Sequence, residues 1–232
     1  MRKHRFNFAF IPAVLSFLVM PLSSHAGGLI HNLPPDGSWV LYRAKTELDF
    51  QGNLQSFDRE LKMCSVGKEE VDGEPARWIE LSTELSGTRI VVKLLILEKY
   101  LKADQNPYEH LVRAWIRGRD GEVRELTASR LRQILIFAGT VPHFDKPEKK
   151  GKQHVKTGHG EYDCEHLTGV QEMEGFQNNK VKLEGDVWTH EKVPFGLVKA
   201  KVKGDLGVGT IETELELTKS GADAKTELPD AK

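Results

Sequence analysis

The chain has 232 residues, with 33 Lys+Arg against 34 Asp+Glu, a net charge of -1 and 39% hydrophobic residues; its mean hydropathy is -0.43. That is an ordinary globular mixture. It excludes a polytopic membrane protein, a collagen, a disulfide-dense mini-protein and a wholly disordered chain, and without a basic excess nothing favours binding to nucleic-acid phosphates.

Residues 1–26 read as a secretory signal peptide. Arg2, Lys3 and Arg5 supply the positive start, and an apolar stretch runs from Phe8 to Met20. Pro21 ends it, and Ser24-His25-Ala26 offers small residues for cleavage. With Pro12 inside, the stretch is too short and interrupted to span a bilayer, which needs about 20 apolar residues. Cleavage therefore leaves no transmembrane anchor, and the expected location is exported, either periplasmic or secreted. Residues 27–218 are expected to form one β-rich domain and residues 219–232 a disordered polar tail.

Leu33-Pro34-Pro35-Asp36-Gly37 is an opening turn. Ser38–Phe50 then alternates, with Val40, Tyr42, Ala44, Leu48 and Phe50 on one face. Turns at Gln51-Gly52-Asn53 and Val71–Pro75 bound a second strand over Leu54–Val66. Arg77–Leu85 alternates again. Ile90–Leu97 is apolar on both faces except at Lys93. This first block reads as an antiparallel meander.

The middle changes character. Asn106 caps a short helix with Pro107 in its first turn and Glu109 three residues on. Leu111–Arg119 returns to a strand. A second helix is expected over Leu131–Ala138, where Leu131, Ile134, Leu135 and Ala138 recur at helical spacing before Gly139. Val141–Gly151 reads as a lysine- and proline-rich loop. Strands are then expected over Gln153–Val170, Lys180–His190, Leu197–Lys203 and Gly209–Thr218. Lys199, Lys201 and Lys203 face a later row of Glu212, Glu214 and Glu216, a pattern suited to cross-strand ion pairs.

The fold class is mainly β with minor α: a curved antiparallel sheet or half-barrel with one or two short covering helices.

No nucleophile elbow, zinc-protease motif, P-loop or dinucleotide fingerprint is present, so nothing points to an enzyme, a cofactor or a metal. Gly204–Gly209 is glycine-rich but lies between strands, where a hairpin or bulge accounts for it. His154, His159, Cys164 and His166 match no metal-ligand spacing and read as surface histidines beside a cysteine. Cys64 and Cys164 either form one disulfide or sit buried as small hydrophobes. Arg113, Trp115 and Arg117 share a strand face with Arg119. Stacked guanidinium and indole groups suit an amphipathic or anionic ligand; a solvated face with one half-buried tryptophan is the plainer alternative.

Tyr162-Asp163-Cys164-Glu165-His166-Leu167-Thr168-Gly169, followed by Val187-Trp188 and Val193–Val198, is similar to the final strands of the bacterial LolA/LolB/LppX-type lipoprotein-carrier superfamily. The element order resembles that group over most of residues 27–232. The resemblance implies a curved sheet whose helices cover a hydrophobic cavity for acyl chains. The missing attachment cysteine after the cut implies the soluble carrier type. The expected function is thus an exported, non-enzymatic binding protein holding a lipid or other hydrophobic ligand on a concave sheet. Trp115, Arg113, Arg117, Leu131 and Leu135 are its candidate contacts, and the helix at Leu131 its lid. The alternative is a structural or interaction module of the cell envelope with a filled core.

Overall fold

The computed structural model describes residues 26–85, 87–102, 105–127, 131, 143–144, 147–174, 180–206 and 209–228. Its strands are β1 (Ala26–Gly27), β2 (Trp39–Phe50), β3 (Asn53–Val71), β4 (Glu74–Leu85), β5 (Thr88–Leu97), β6 (Leu111–Arg117), β7 (Val123–Glu125), β8 (His143–Phe144), β9 (Glu148–Lys156), β10 (Glu161–Glu174), β11 (Lys180–Thr189), β12 (Leu197–Asp205) and β13 (Thr210–Gly221). Among the described residues, β2–β7 and β9–β13 form a single 11-stranded sheet, and β1 pairs with β8 apart from it. The signal-peptide reading lies outside the described residues, apart from Ala26 in β1.

The sheet is two meanders joined at their long strands. Its order is β7-β6-β5-β4-β3-β2-β13-β12-β11-β10-β9, with antiparallel pairing at each step. The first and last long strands are therefore neighbours, and the sheet curves without closing. The tight turns follow their sequence. Gln51 and Gly52 have φ of 54° and 84°, and Asp72 and Gly73 have 52° and 80°. Two successive positive φ values define the turn whose twist suits a two-residue hairpin. One edge, β9, carries Lys149, Lys150 and Lys152, charges that discourage pairing with another chain.

Alternation assigns the faces. Val40, Tyr42 and Ala44 of β2, Leu61 and Met63 of β3, Ile79 and Leu81 of β4, and Leu94 and Ile96 of β5 join one buried cluster. Ala114, Leu167, Val187, Ala200 and Leu215 extend it from β6 to β10. That shared cluster marks the concave face. Leu29, Ile30, Leu101, Leu131, Phe144, Val193 and Phe195 cover it. Strand β5 is buried on both sides, as its sequence predicts, because a second cluster of Ala76, Trp78 and Leu95 packs on the convex face.

Several boundaries differ from the sequence reading. The segment expected as a single strand over Gln153–Val170 is the hairpin β9–β10, which turns at Thr157–Gly160 with Thr157 N donating to the Gly160 carbonyl at 2.8 Å. Strand β9 also begins at Glu148, within the expected lysine-rich loop. The short capped segment is a 3-10 turn over Pro107–Glu109, with the Asn106 side chain accepting from Tyr108 N. Of the second expected helix only Leu131 is described; it is helical, with its N–H on the Thr127 carbonyl at 3.0 Å.

The largest difference is in residues 219–228 of the expected disordered tail; residues 229–232 lie outside the described residues. Lys219–Gly221 complete β13, and the following residues cross the convex face. Ala224 N donates to the Gly37 carbonyl at 2.8 Å. Trp39 Nε1 donates to Asp223 at 2.7 Å, and Glu227 pairs with Arg89. A polar composition is compatible with order here because the sheet beneath supplies partners for the polar groups.

Candidate functional site

The concave face carries the most extensive of the buried apolar clusters among the described residues. Its strands hold it rigidly, whereas its cover is made of short segments. His31 N donates to the Phe195 carbonyl at 2.8 Å. Tyr42 Oη donates to the Leu197 carbonyl at 3.1 Å. A Cβ built on Gly169 of β10 would meet the Phe144 ring at 2.6 Å. The absence of a side chain at 169 is what seats Phe144 over the sheet.

Tyr100, Tyr108, Leu111 and Leu126 pack against the same cluster. Tyr100 stacks on His110 with centroids 3.7 Å apart. Tyr108 Oη is buried and has no hydrogen-bond partner among the described residues. Burial pushes its phenol well above the ordinary value, so at neutral pH it is a protonated donor.

At the β10–β11 side lies a cavity of about 450 Å³, lined by His31, Asn32, Asp163, Glu165, Leu167 and Glu191 among others. Its walls mix apolar surface with charged groups of both signs, Asp163, Glu165 and Glu191 beside Lys152. Burial lowers the His31 pKa to about 4, with His143 nearby adding repulsion and the Gly28 carbonyl opposing the shift. Neutral His31 bonds that carbonyl through Nε2 at 2.8 Å.

The candidate contacts divide between the two faces. Arg113 and Trp115 lie on the convex side with Trp78. Trp78 and Trp115 have centroids 5.0 Å apart, and the Arg113 guanidinium sits 5.7 Å from each ring. Glu69 accepts from Arg113 and from Trp78 Nε1. Arg117 donates to the Glu227 carbonyl at 3.1 Å. These groups are partnered by the chain's own residues. Leu131 belongs to the concave cluster, so the sheet separates it from Trp115. Leu135 lies outside the described residues.

The two cysteines are buried free thiols, in place of the disulfide that the sequence left open. The pairing order puts five strand-to-strand steps between β3, which carries Cys64, and β10, which carries Cys164. At about 4.8 Å per step, that is far along the sheet from the 7 Å limit for bridging Cα atoms. Burial pushes both thiols up to about 11.

The histidines take separate partners. His154 Nδ1 is 3.0 Å from Asp163, whose hydrogen bond raises the histidine pKa. His166 Nε2 is 2.6 Å from Asp186 and its ring stacks on Trp188. His159 meets Tyr162 and Ser220. Among the described residues, no three His, Cys, Asp or Glu converge as a metal set.

The sequence reading missed Tyr108, Gly169, and the buried Glu80 and Lys93 of the convex face. Only the Lys93 interruption of an apolar strand gave a local signal.

No family model matches the chain, and no curated protein matches it. Solved structures similar to it include a protein of YmcC-like fold from Bacteroides fragilis, described as exported. The two share 10% identity over 83% of this chain and 99% of that one, with a TM-score of 0.41. A protein from Parabacteroides distasonis described as a lipoprotein gives 10% identity, 84% and 99% coverage and a TM-score of 0.41. An outer membrane lipoprotein-sorting protein domain from Vibrio parahaemolyticus gives 11% identity, 84% and 88% coverage and a TM-score of 0.32.

Proposed function

We propose that this is an exported, non-enzymatic binding module of the cell envelope, holding a lipid or other hydrophobic ligand against the concave face of its sheet. One observation carries the reading. A single apolar cluster runs across the sheet from Ala114 of β6 to Leu167 of β10, and among the described residues its cover consists of short segments, the two-residue strands β1 and β8 among them. A face of this kind keeps its shape while its cover moves, because the strand ladder does not depend on the cover for its hydrogen bonds. Apolar ligand chains bind such faces by the area they remove from water. The sequence resemblance to lipoprotein carriers supports the same reading. Leu131 belongs to the contact set, and Arg113, Trp115 and Arg117 serve the convex face.

The second reading is an envelope module with a filled core. It is favoured by Leu29, Ile30, Leu131, Phe144 and Phe195, each at most 1% exposed against the same face.

Native against denaturing mass spectrometry of protein purified from an exported preparation separates the two. A lipid-mass adduct lost on denaturation is expected. A clean ligand-free mass in the native spectrum favours the filled core and removes the carrier reading.

A further inference from the structure

On the footing of the apolar-ligand reading above, we propose that the Tyr108 hydroxyl is the polar contact of the concave site. It donates a hydrogen bond to the carbonyl oxygen of an acyl ligand whose chain lies on the apolar cluster.

Three observations converge on this residue. Tyr108 packs against the concave cluster, beside an end of the sheet where Tyr100, Leu111 and Leu126 also pack. Its Oη is buried, and no group among the described residues pairs with it. Its backbone is held in place: Tyr108 N donates to Asn106 Oδ1 at 3.3 Å, and the Asn106 amide reaches Glu109 at 3.1 Å. The ring is thus set on a capped turn rather than a free loop. Buried hydroxyls in native proteins are almost always bonded, and an orphan one calls for a specific explanation.

The chemistry of the partner follows from the site. A phenol O–H offers one proton. The cluster around it is apolar, so a cationic headgroup would find no counter-charge there, and a bare carboxylate would carry its desolvation cost into it. A neutral acyl carbonyl needs one donor and continues directly into a hydrocarbon chain. An ester or a protonated fatty acid both present that group.

Tyr108→Phe removes only the hydroxyl and keeps the ring, so it tests the contact with little disturbance of packing. The full chain, stripped of lipid, is titrated with methyl laurate, lauric acid and dodecane, alongside its thermal midpoint without ligand. The variant is expected to bind methyl laurate about five-fold more weakly. Dodecane affinity should not change, and the unliganded midpoint should be equal or higher because an unsatisfied polar group has been removed. A matching loss with lauric acid includes free fatty acids in the ligand class; loss with the ester alone restricts it to esters. Equal ester affinity in wild type and variant overturns the Tyr108 contact and leaves the carrier reading standing. A lowered midpoint in the unliganded variant also overturns it, since the hydroxyl then serves the fold. If the wild-type protein binds none of the three, the carrier reading falls and this contact falls with it.

Discussion

Phe144 lies over Gly169 so closely that a methyl group at 169 would stand 2.6 Å from its ring. Phe144 is fully buried and belongs to β8, which with β1 sits outside the main sheet. The contact is thus a joint between the rigid face and its cover. Gly169→Ala should force the ring out of its seat and cost about 1–3 kcal/mol, the usual range for overpacking. Urea denaturation gives the number. Binding of an apolar fluorescent dye should rise in the same variant, because the displaced ring uncovers concave-face carbons. Unchanged stability and unchanged dye binding would mean that the ring moves aside freely, and that the joint has no role.

Glu80 and Lys93 face each other across β4 and β5, each at most 3% exposed. Residues 226–228 close over them. Glu80 accepts from Glu227 N at 2.8 Å, Leu228 N at 3.2 Å and the Thr226 hydroxyl. Lys93 Nζ donates to Thr226 Oγ1 and to the Leu228 carbonyl, both at 3.1 Å. Glu80→Gln replaces an acceptor oxygen by an N–H donor among groups that are themselves donors. It also removes the negative charge that lies in register with Lys93. Stability should fall by about 2–4 kcal/mol. Amide exchange at 227 and 228 should quicken more than exchange in β4. If exchange there matched wild type, the carboxylate would not be what holds the segment.

His31 gives a pH signature of known sign. Its pKa is about 4 when folded against 6.5 for the free side chain, and burial is the main cause. Between these values the unfolded chain binds the proton and the folded chain does not, so stability rises with pH across that window. The contribution is complete above 6.5, declines as pH falls through the window, and is gone below 4. Its ceiling is about 3 kcal/mol. His31→Gln should flatten the slope between pH 4 and 6.5 relative to wild type. Parallel stability curves for the two proteins would show that His31 remains accessible to solvent.

The contrast between strands and contacts has a physical basis. The meanders were legible because a half-buried strand writes its two faces into alternate residues. The lysine row of β12 and the glutamate row of β13 do lie opposite one another, with Lys203 and Glu212 in register and 3.2 Å apart. The convex position of Trp115 was legible only in part. Alternation separated it from Ala114 and Ile116 but could not say which face was concave. The order of residues 222–228 was not legible, because their partners Gly37, Glu80 and Arg89 lie far away in the chain and local composition records none of them. Tyr108 was hidden for the same reason: an orphan hydroxyl is a property of its surroundings.

The cysteines allow a chemical check on the pairing order. Cys64 is 4% exposed and Cys164 is 0% exposed, and both thiols titrate near 11 because burial disfavours the thiolate. Alkylation requires the thiolate. At pH 8 the native protein should therefore take up iodoacetamide very slowly at both positions. After unfolding in urea without reductant, both should react fully, giving a mass increase of two carbamidomethyl groups. The outcome that contradicts this fold is specific: an unfolded protein that stays unmodified until a reductant is added. It would require Cys64 and Cys164 to be bridged, and so would require β3 and β10 to lie side by side rather than five steps apart.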